Sequence, residues 1–408
     1  MKRSVTVFLL LTVLIGVLFA QNEGDFIFDG KGTITGYQGW DDVVVIPAMI
    51  GGVPVTAIAR SAFRNMGLTS VIIPANIKYI GFLAFADNKL TSITLPAGVT
   101  VAERAFFNNN LINLSAGDEA FIGRSAFSRN RLTTLTLGDK IFIDQNAFEN
   151  NALKDLFLGT DIIFRENDFG RFLFYEYMCN DRKAGIFNTS ITYTSKREGD
   201  FEFYLIKNMA VIARYFGDDV DRLIIPRQLG GMPVKGIAHD GSNGAFNKKN
   251  ISRMLLPDGI IFIGSNAFKE NRLESVTIPG SVIYIGDSAF SQNRLTSVNI
   301  SVGVTFIGEQ SFRANQLASV NIPDGVLYID ASSFFSNRLT SVIIPSSVFN
   351  IGDKAFEANL QLASVTIGAD VELAPESFGM LSIFPRFYSS SGRRAGTYVL
   401  NNRQWILQ

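Results

Sequence analysis

The sequence predicts a β-rich solenoid in two tandem right-handed arrays, and three observations carry that expectation. Phe246, Phe268, Phe290, Phe312, Phe334, Phe356 and Phe378 recur every 22 residues without exception. An earlier series, Phe63, Phe85, Phe106, Phe127, Phe148 and Phe169, takes one step of 22 and four of 21. Asparagine follows three places behind, at Asn88, Asn109, Asn130, Asn151, Asn271, Asn293, Asn315, Asn337 and Asn359. A fixed period in this range marks a unit that cannot bury its apolar side alone and stacks on copies of itself.

The chain of 408 residues opens with Met1-Lys2-Arg3, an apolar run from Val5 to Phe19, and Ala20 before the polar Gln21-Asn22-Glu23. This pattern reads as a cleaved signal peptide over residues 1–20, because the apolar run is shorter than the roughly 20 residues of a spanning helix. No cysteine directly follows it, which argues against a lipid anchor, and no second apolar span appears. Export is therefore expected.

Within one repeat, Leu273, Val276, Ile278, Val282, Ile285, Ala289 and Phe290 are the apolar positions. The late alternation over Leu273 to Ile278 predicts a short strand with one face inward, and Pro279 ends it because proline has no amide donor for a ladder. Pro74, Pro96, Pro257, Pro323 and Pro345 repeat that stop. A second extended stretch from Val282 to Ile285 meets Gly286, and a turn or short helical segment carries Ala289-Phe290. The asparagine amide both donates and accepts, so stacked copies are expected to satisfy turn backbone groups. The later units of the first array are one residue shorter, as in Leu132 to Ala152, with the leading strand pattern intact.

Gly24-Asp25-Phe26-Ile27-Phe28 is answered by Gly199-Asp200-Phe201-Glu202-Phe203, which points to duplication of a whole module. Arg182-Lys183-Ala184-Gly185 and Arg393-Arg394-Ala395-Gly396, following Tyr175 and Tyr388, mark matching tails. Three regions are expected: the signal peptide at 1–20, a first module at 21–195, and a second at 196–408 with its own entry cap and tail. Ser195 to Glu198 reads as linker. The apolar segments Phe26 to Phe28 and Thr33 to Tyr37 predict a hairpin over the open sheet edge.

The pattern L-T-S-V-x-I-P-x-x-V-x-x-I-G-x-x-A-F-x-x-N, read at Leu68, Leu273 and Leu339, resembles the BspA-like class of bacterial leucine-rich repeat. Entry units at Val43 to Phe63 and Leu223 to Phe246 resemble that family too. The resemblance implies a leucine-rich repeat solenoid of repeats of about 21–22 residues with short turns or helical segments. It also implies a surface or secreted adhesin that attaches cells to host matrix proteins, epithelium or other bacteria. The alternative kept open is a periplasmic or envelope scaffold for a bacterial protein or wall component.

Composition narrows the function further. Net formal charge is zero and charged residues make up 18%, which argues against a nucleic-acid binder relying on counterion release. With one histidine, His239, and one cysteine, Cys179, neither a zinc site nor more than one triad or dyad is available. No catalytic, cofactor or metal residues are assigned. His239 reads as a solvated loop residue, and residues 240–244 lack the spaced acids of a calcium loop. Asp41-Asp42 and Asp218-Asp219 read as turn or cap residues before the entry strands. Cys179 is expected to be buried among Tyr175, Tyr177 and Met178.

Binding is expected on the outward positions of the leading strands. These carry Thr94 and Thr136 in the first array, and Thr277, Asn299, Asn321 and Thr366 in the second, beside a column of serines. Such a face suits a protein or glycan partner, because hydroxyls and amides bond without a large desolvation cost. A second candidate is a basic edge of Lys89, Arg131, Arg272, Arg294 and Arg338, each one place before a repeat leucine. The sequence leaves oligomeric state and the partner's identity open.

Overall fold

A computed structural model describes residues 22–166, 168–190, 192–217, 221–239, 243–379, 383–401 and 404–408. The expected signal peptide and the Asp218-Asp219 pair lie outside the described residues. The chain divides into two compact units between residues 191 and 192. Each is a leucine-rich repeat solenoid, rich in short strands and turns.

The first unit starts with a hairpin. Phe26–Phe28 pairs antiparallel with Thr33–Tyr37, which then pairs in parallel with Ala57–Ile58. From there Tyr79–Ile80, Thr100–Val101, Phe121–Ile122 and Phe142–Ile143 add one two-residue strand per turn. The leading strands Ser92–Leu95, Asn113–Ala116, Thr134–Leu137 and Asp155–Leu158 build a second parallel ladder, which runs through the 21-residue turns without a break.

The second unit repeats this plan. Phe201–Ile206 and Met209–Tyr215 form the entry hairpin, followed by Met232–Ile237 and one two-residue strand per turn as far as Glu372–Leu373. Ser195–Glu198, expected as linker, is instead a strand paired antiparallel with Phe201–Ile206. The reason is edge satisfaction: the hairpin presents an open row of backbone groups, and this segment covers it. The leading strands here fall into three separate groups, Arg222–Ile224 with Arg253–Leu255, Ser275–Ile278 with Ser297–Ile300, and Ser319–Asn321 onward.

Both units end alike. A helix, Arg171–Cys179 in one and Phe384–Ser390 in the other, precedes a strand that closes the leading ladder antiparallel. Tyr177 Oη donates to the Gly159 carbonyl at 3.0 Å and accepts from the Ile162 amide at 2.8 Å. Tyr388 Oη does the same with Gly368 at 2.6 Å and Val371 at 3.2 Å. The counterpart of Tyr388 is thus Tyr177, not Tyr175. Cys179 is buried at the end of its helix, as are Tyr175, Tyr177 and Met178.

The core is the sum of the repeats. Leu273, Val276, Ile278, Val282, Ile285, Ala289 and Phe290 are all buried. The phenylalanine rings stack turn on turn: Phe246 and Phe268 lie 5.1 Å apart at 3°, and Phe268 and Phe290 lie 5.4 Å apart at 7°. Gly286 permits that closeness, since a Cβ there would sit 2.7 Å from the backbone of Gly264 and Ser265.

Asparagine sews the turns together. Asn109 Nδ2 donates to Phe85 of the preceding turn at 3.0 Å and to Phe106 of its own at 3.2 Å, while Oδ1 accepts from the Leu90 amide at 3.1 Å. The other asparagines of both series make equivalent bonds. Each buried amide therefore spends its donor and acceptor on backbone groups, which favours structural use over ligand binding.

Candidate interaction faces

The leading strands place one column of side chains outward at a fixed register. Thr94, Ser115, Thr136 and Phe157 are cross-strand neighbours in the first unit. In the second, Thr277 pairs with Asn299, Asn321 with Ile343, and Ile343 with Thr366. Thr94, Thr136, Thr277, Asn299 and Asn321 are exposed. The backbone beneath is already occupied by ladder bonds, so hydroxyls and amides are what these positions offer a partner.

Thr366 differs from the expectation, being only half-exposed. The closing strand Gly396–Asn401 lies antiparallel beside it, and the Thr366 and Thr397 hydroxyls are 3.0 Å apart. The terminal strand uses this position as part of the cap.

Apolar groups border the polar columns. Ile224 and Leu255 are cross-strand neighbours, 63% and 61% exposed. Phe157 stands opposite Ile186 of the first unit's closing strand, which is 70% exposed. Ile343 is also exposed. Ile186 was hidden in the sequence because its register depends on an antiparallel pairing that no repeat period announces.

The basic edge has a backbone cause. Each residue before a repeat leucine donates its amide to the leucine-position carbonyl of the turn before: Lys89 to Leu68 at 2.8 Å, Arg131 to Leu111 at 2.9 Å, Arg294 to Leu273 at 3.0 Å and Arg338 to Leu317 at 3.0 Å. Arg272 does so to Ile251 at 2.9 Å. All five side chains are exposed. The edge and the strand columns are separate rows, one rung per turn in each.

Other sequence candidates fall to structural roles. Asp42 accepts from the Thr69 amide and hydroxyl. Its counterpart in the second unit is Asp221, which holds the amides of Ser252 and Arg253, rather than the Asp218-Asp219 pair. The hydrogen bonds from Ser252 and Arg253 hold the Asp221 carboxyl below the usual carboxylate range. His239 is buried, contrary to the expectation of a solvated loop; it bridges Gly244 and continues from the sheet strand Met232–Ile237. Most of residues 240–244 lies outside the described residues. Among the described residues no group of three or more His, Cys, Asp or Glu could hold a metal ion. No described helix is long and apolar enough to cross a membrane.

Short parallel strands, one phenylalanine and one asparagine per turn, and paired entry and exit caps define a leucine-rich repeat protein. The BspA type leucine-rich repeat model matches residues 53–170 and 241–363, with six copies. This is more than half of the chain, which therefore belongs to that family. No curated protein matches it. Among solved structures, a leucine-rich cell surface protein of Faecalibacterium prausnitzii is 20% identical, covering 87% of this chain and 94% of that one, with a TM-score of 0.30. A leucine-rich repeat protein of T. pallidum is also 20% identical, over 49% of this chain and 96% of that one, at 0.35. The pneumococcal vaccine antigen PcpA is 16% identical, over 85% of this chain and 79% of that one, at 0.23.

Proposed function

We propose that this is an exported, non-enzymatic interaction scaffold, acting as a cell-surface adhesin that binds host matrix proteins or other cells through the outer strand faces. One observation supports it above others. Thr94 and Thr136 in the first unit, and Thr277, Asn299 and Asn321 in the second, stand exposed on strands whose backbone is already bonded, and the second unit adds the exposed pair Ile224 and Leu255. Polar rows next to exposed apolar side chains supply both kinds of group that a protein interface combines. Fold alone never fixes function, so the reading rests on this surface and on the N-terminal segment expected to direct export.

Location tests the adhesin directly. On intact cells, protease shaving or antibody labelling should reach the protein. A protein detected only after lysis would sink the adhesin and favour an envelope scaffold holding a bacterial protein or wall component.

A further inference from the structure

We propose that the corner row Arg272, Arg294 and Arg338 of the second unit binds a linear sulfated polysaccharide. The observation is a contrast in charge placement. Elsewhere in this unit, positions 22 residues apart carry opposite charges that pair across neighbouring turns: Lys248 meets Glu270 at 3.3 Å and Lys354 meets Glu376 at 3.9 Å. Arg272 and Arg294 occupy the same position on neighbouring turns and carry like charge, which opposes folding.

None of the three arginines forms an ion pair among the described residues, and all are exposed. Of the carboxylates flanking Arg272 in sequence, Glu270 is engaged with Lys248, and Glu274 forms no ion pair with Arg272 among the described residues. The turns of Arg294 and Arg338 supply none next to them, residues 291–297 reading SQNRLTS and residues 335–341 reading FSNRLTS, and Glu274 and Glu357 on adjacent turns form no ion pair with either arginine among the described residues. A row of uncompensated cations on a rigid ladder calls for an external polyanion.

Spacing selects the kind of polyanion. Successive rungs lie about 4.8 Å apart, whereas an extended peptide advances about 3.3 Å per residue, so it cannot offer one residue to each neighbouring rung, as the adjacent Arg272 and Arg294 require. An extended chain of pyranose rings advances close to one rung per sugar, so it stays in register along the row. The guanidinium fork matches the oxygens of a sulfate group, which a lysine ammonium meets only as a point charge. Gln292 and Gln316, in the same corner, offer amides to sugar hydroxyls. This row lies off the strand columns, so the proposal goes beyond the strand-face reading and does not depend on it.

The test uses the full chain and an immobilised heparin-type polysaccharide, with the same polymer desulfated as control and a salt series. Binding to the sulfated polymer is expected at low salt. The combined variant R272Q/R294Q/R338Q should lose at least tenfold in affinity, with a salt slope shallower by about 2 to 3, near one per lost cation. K89Q/R131Q in the first unit should stay within about twofold. Thermal melting should show all these surface variants folded as wild type. The proposal is overturned if wild type fails to bind, if the desulfated polymer binds equally, or if the triple variant binds as wild type. Equal loss in K89Q/R131Q would reduce the effect to overall charge and overturn it too. Displacement by poly-glutamate at lower concentration than by free sulfated polymer would assign the row to an acidic protein instead.

Discussion

The Asn293 side-chain amide donates to the Phe268 carbonyl of the preceding turn at 2.9 Å, and so ties the two turns of the second unit together. The same nitrogen bonds Phe290 of its own turn at 3.1 Å, and Oδ1 accepts from the Leu273 amide at 3.1 Å. An N293A variant leaves the buried Leu273 amide without its acceptor and removes one of the two asparagine donors from each of the Phe268 and Phe290 carbonyls, which keep Asn271 and Asn315. We expect a loss of about 2 to 4 kcal/mol, read as a lowered denaturation midpoint. Loss below about 0.5 kcal/mol would mean that water replaces the amide at no cost.

Backbone strain supplies a change of opposite sign. Ala314 has φ of +56° and its amide donates to the Phe335 carbonyl of the next turn at 2.9 Å. The left-handed conformation costs a non-glycine residue about 1 to 2 kcal/mol, while glycine gives back part of that in unfolded-chain entropy. A314G should therefore raise stability by about 0.5 to 1 kcal/mol in chemical denaturation. A destabilised A314G would refute strain at this turn.

Alkaline pH should unfold the protein through its capping tyrosines. Burial pushes the Tyr177 and Tyr388 phenols upward, and burial with the nearby Asp41 charge pushes Tyr37 up to about 12. A phenol that ionises less readily when folded contributes stability that is complete below the unfolded value near 10. That contribution is lost as pH rises through the folded value. Melting temperature should hold steady up to about pH 9 and fall above about 10, and a Y388F variant should fall less steeply. A flat profile to pH 12 would contradict the assignment.

How much of this was legible in the sequence follows from what repeats. Phe290 and Asn293 recur with their period, so both the ring stack and the asparagine ladder could be read before any coordinates. The left-handed positions could not, because Leu83, Arg104, Glu270, Ala314 and Lys354 share a conformation and no side-chain chemistry. Bonds to the next turn impose that conformation, as for Arg104 to Arg124 at 3.0 Å. Single features misled for the same reason. The sequence favours Tyr175 as the match to Tyr388 and a solvated loop for His239, whereas the hydrogen bonds pick Tyr177 and His239 is buried, bridging Gly244. On the strand face, Thr277 and Asn299 came from the period, whereas Ile186 needed the closing strand's register.

On the proposed reading, the outer strand faces of the two units carry the binding function. The most direct measurement is binding of the full chain, at physiological salt, to a panel of immobilised matrix proteins and glycans, beside a T94A/T136A/L255A/T277A/N299A/N321A variant. Exposed positions should leave melting nearly unchanged. We predict that wild type binds at least one panel member and that the variant loses tenfold or more, the scale at which a few central residues dominate an interface. Wild-type affinity in the variant, or no binding by wild type to any member, would contradict the account.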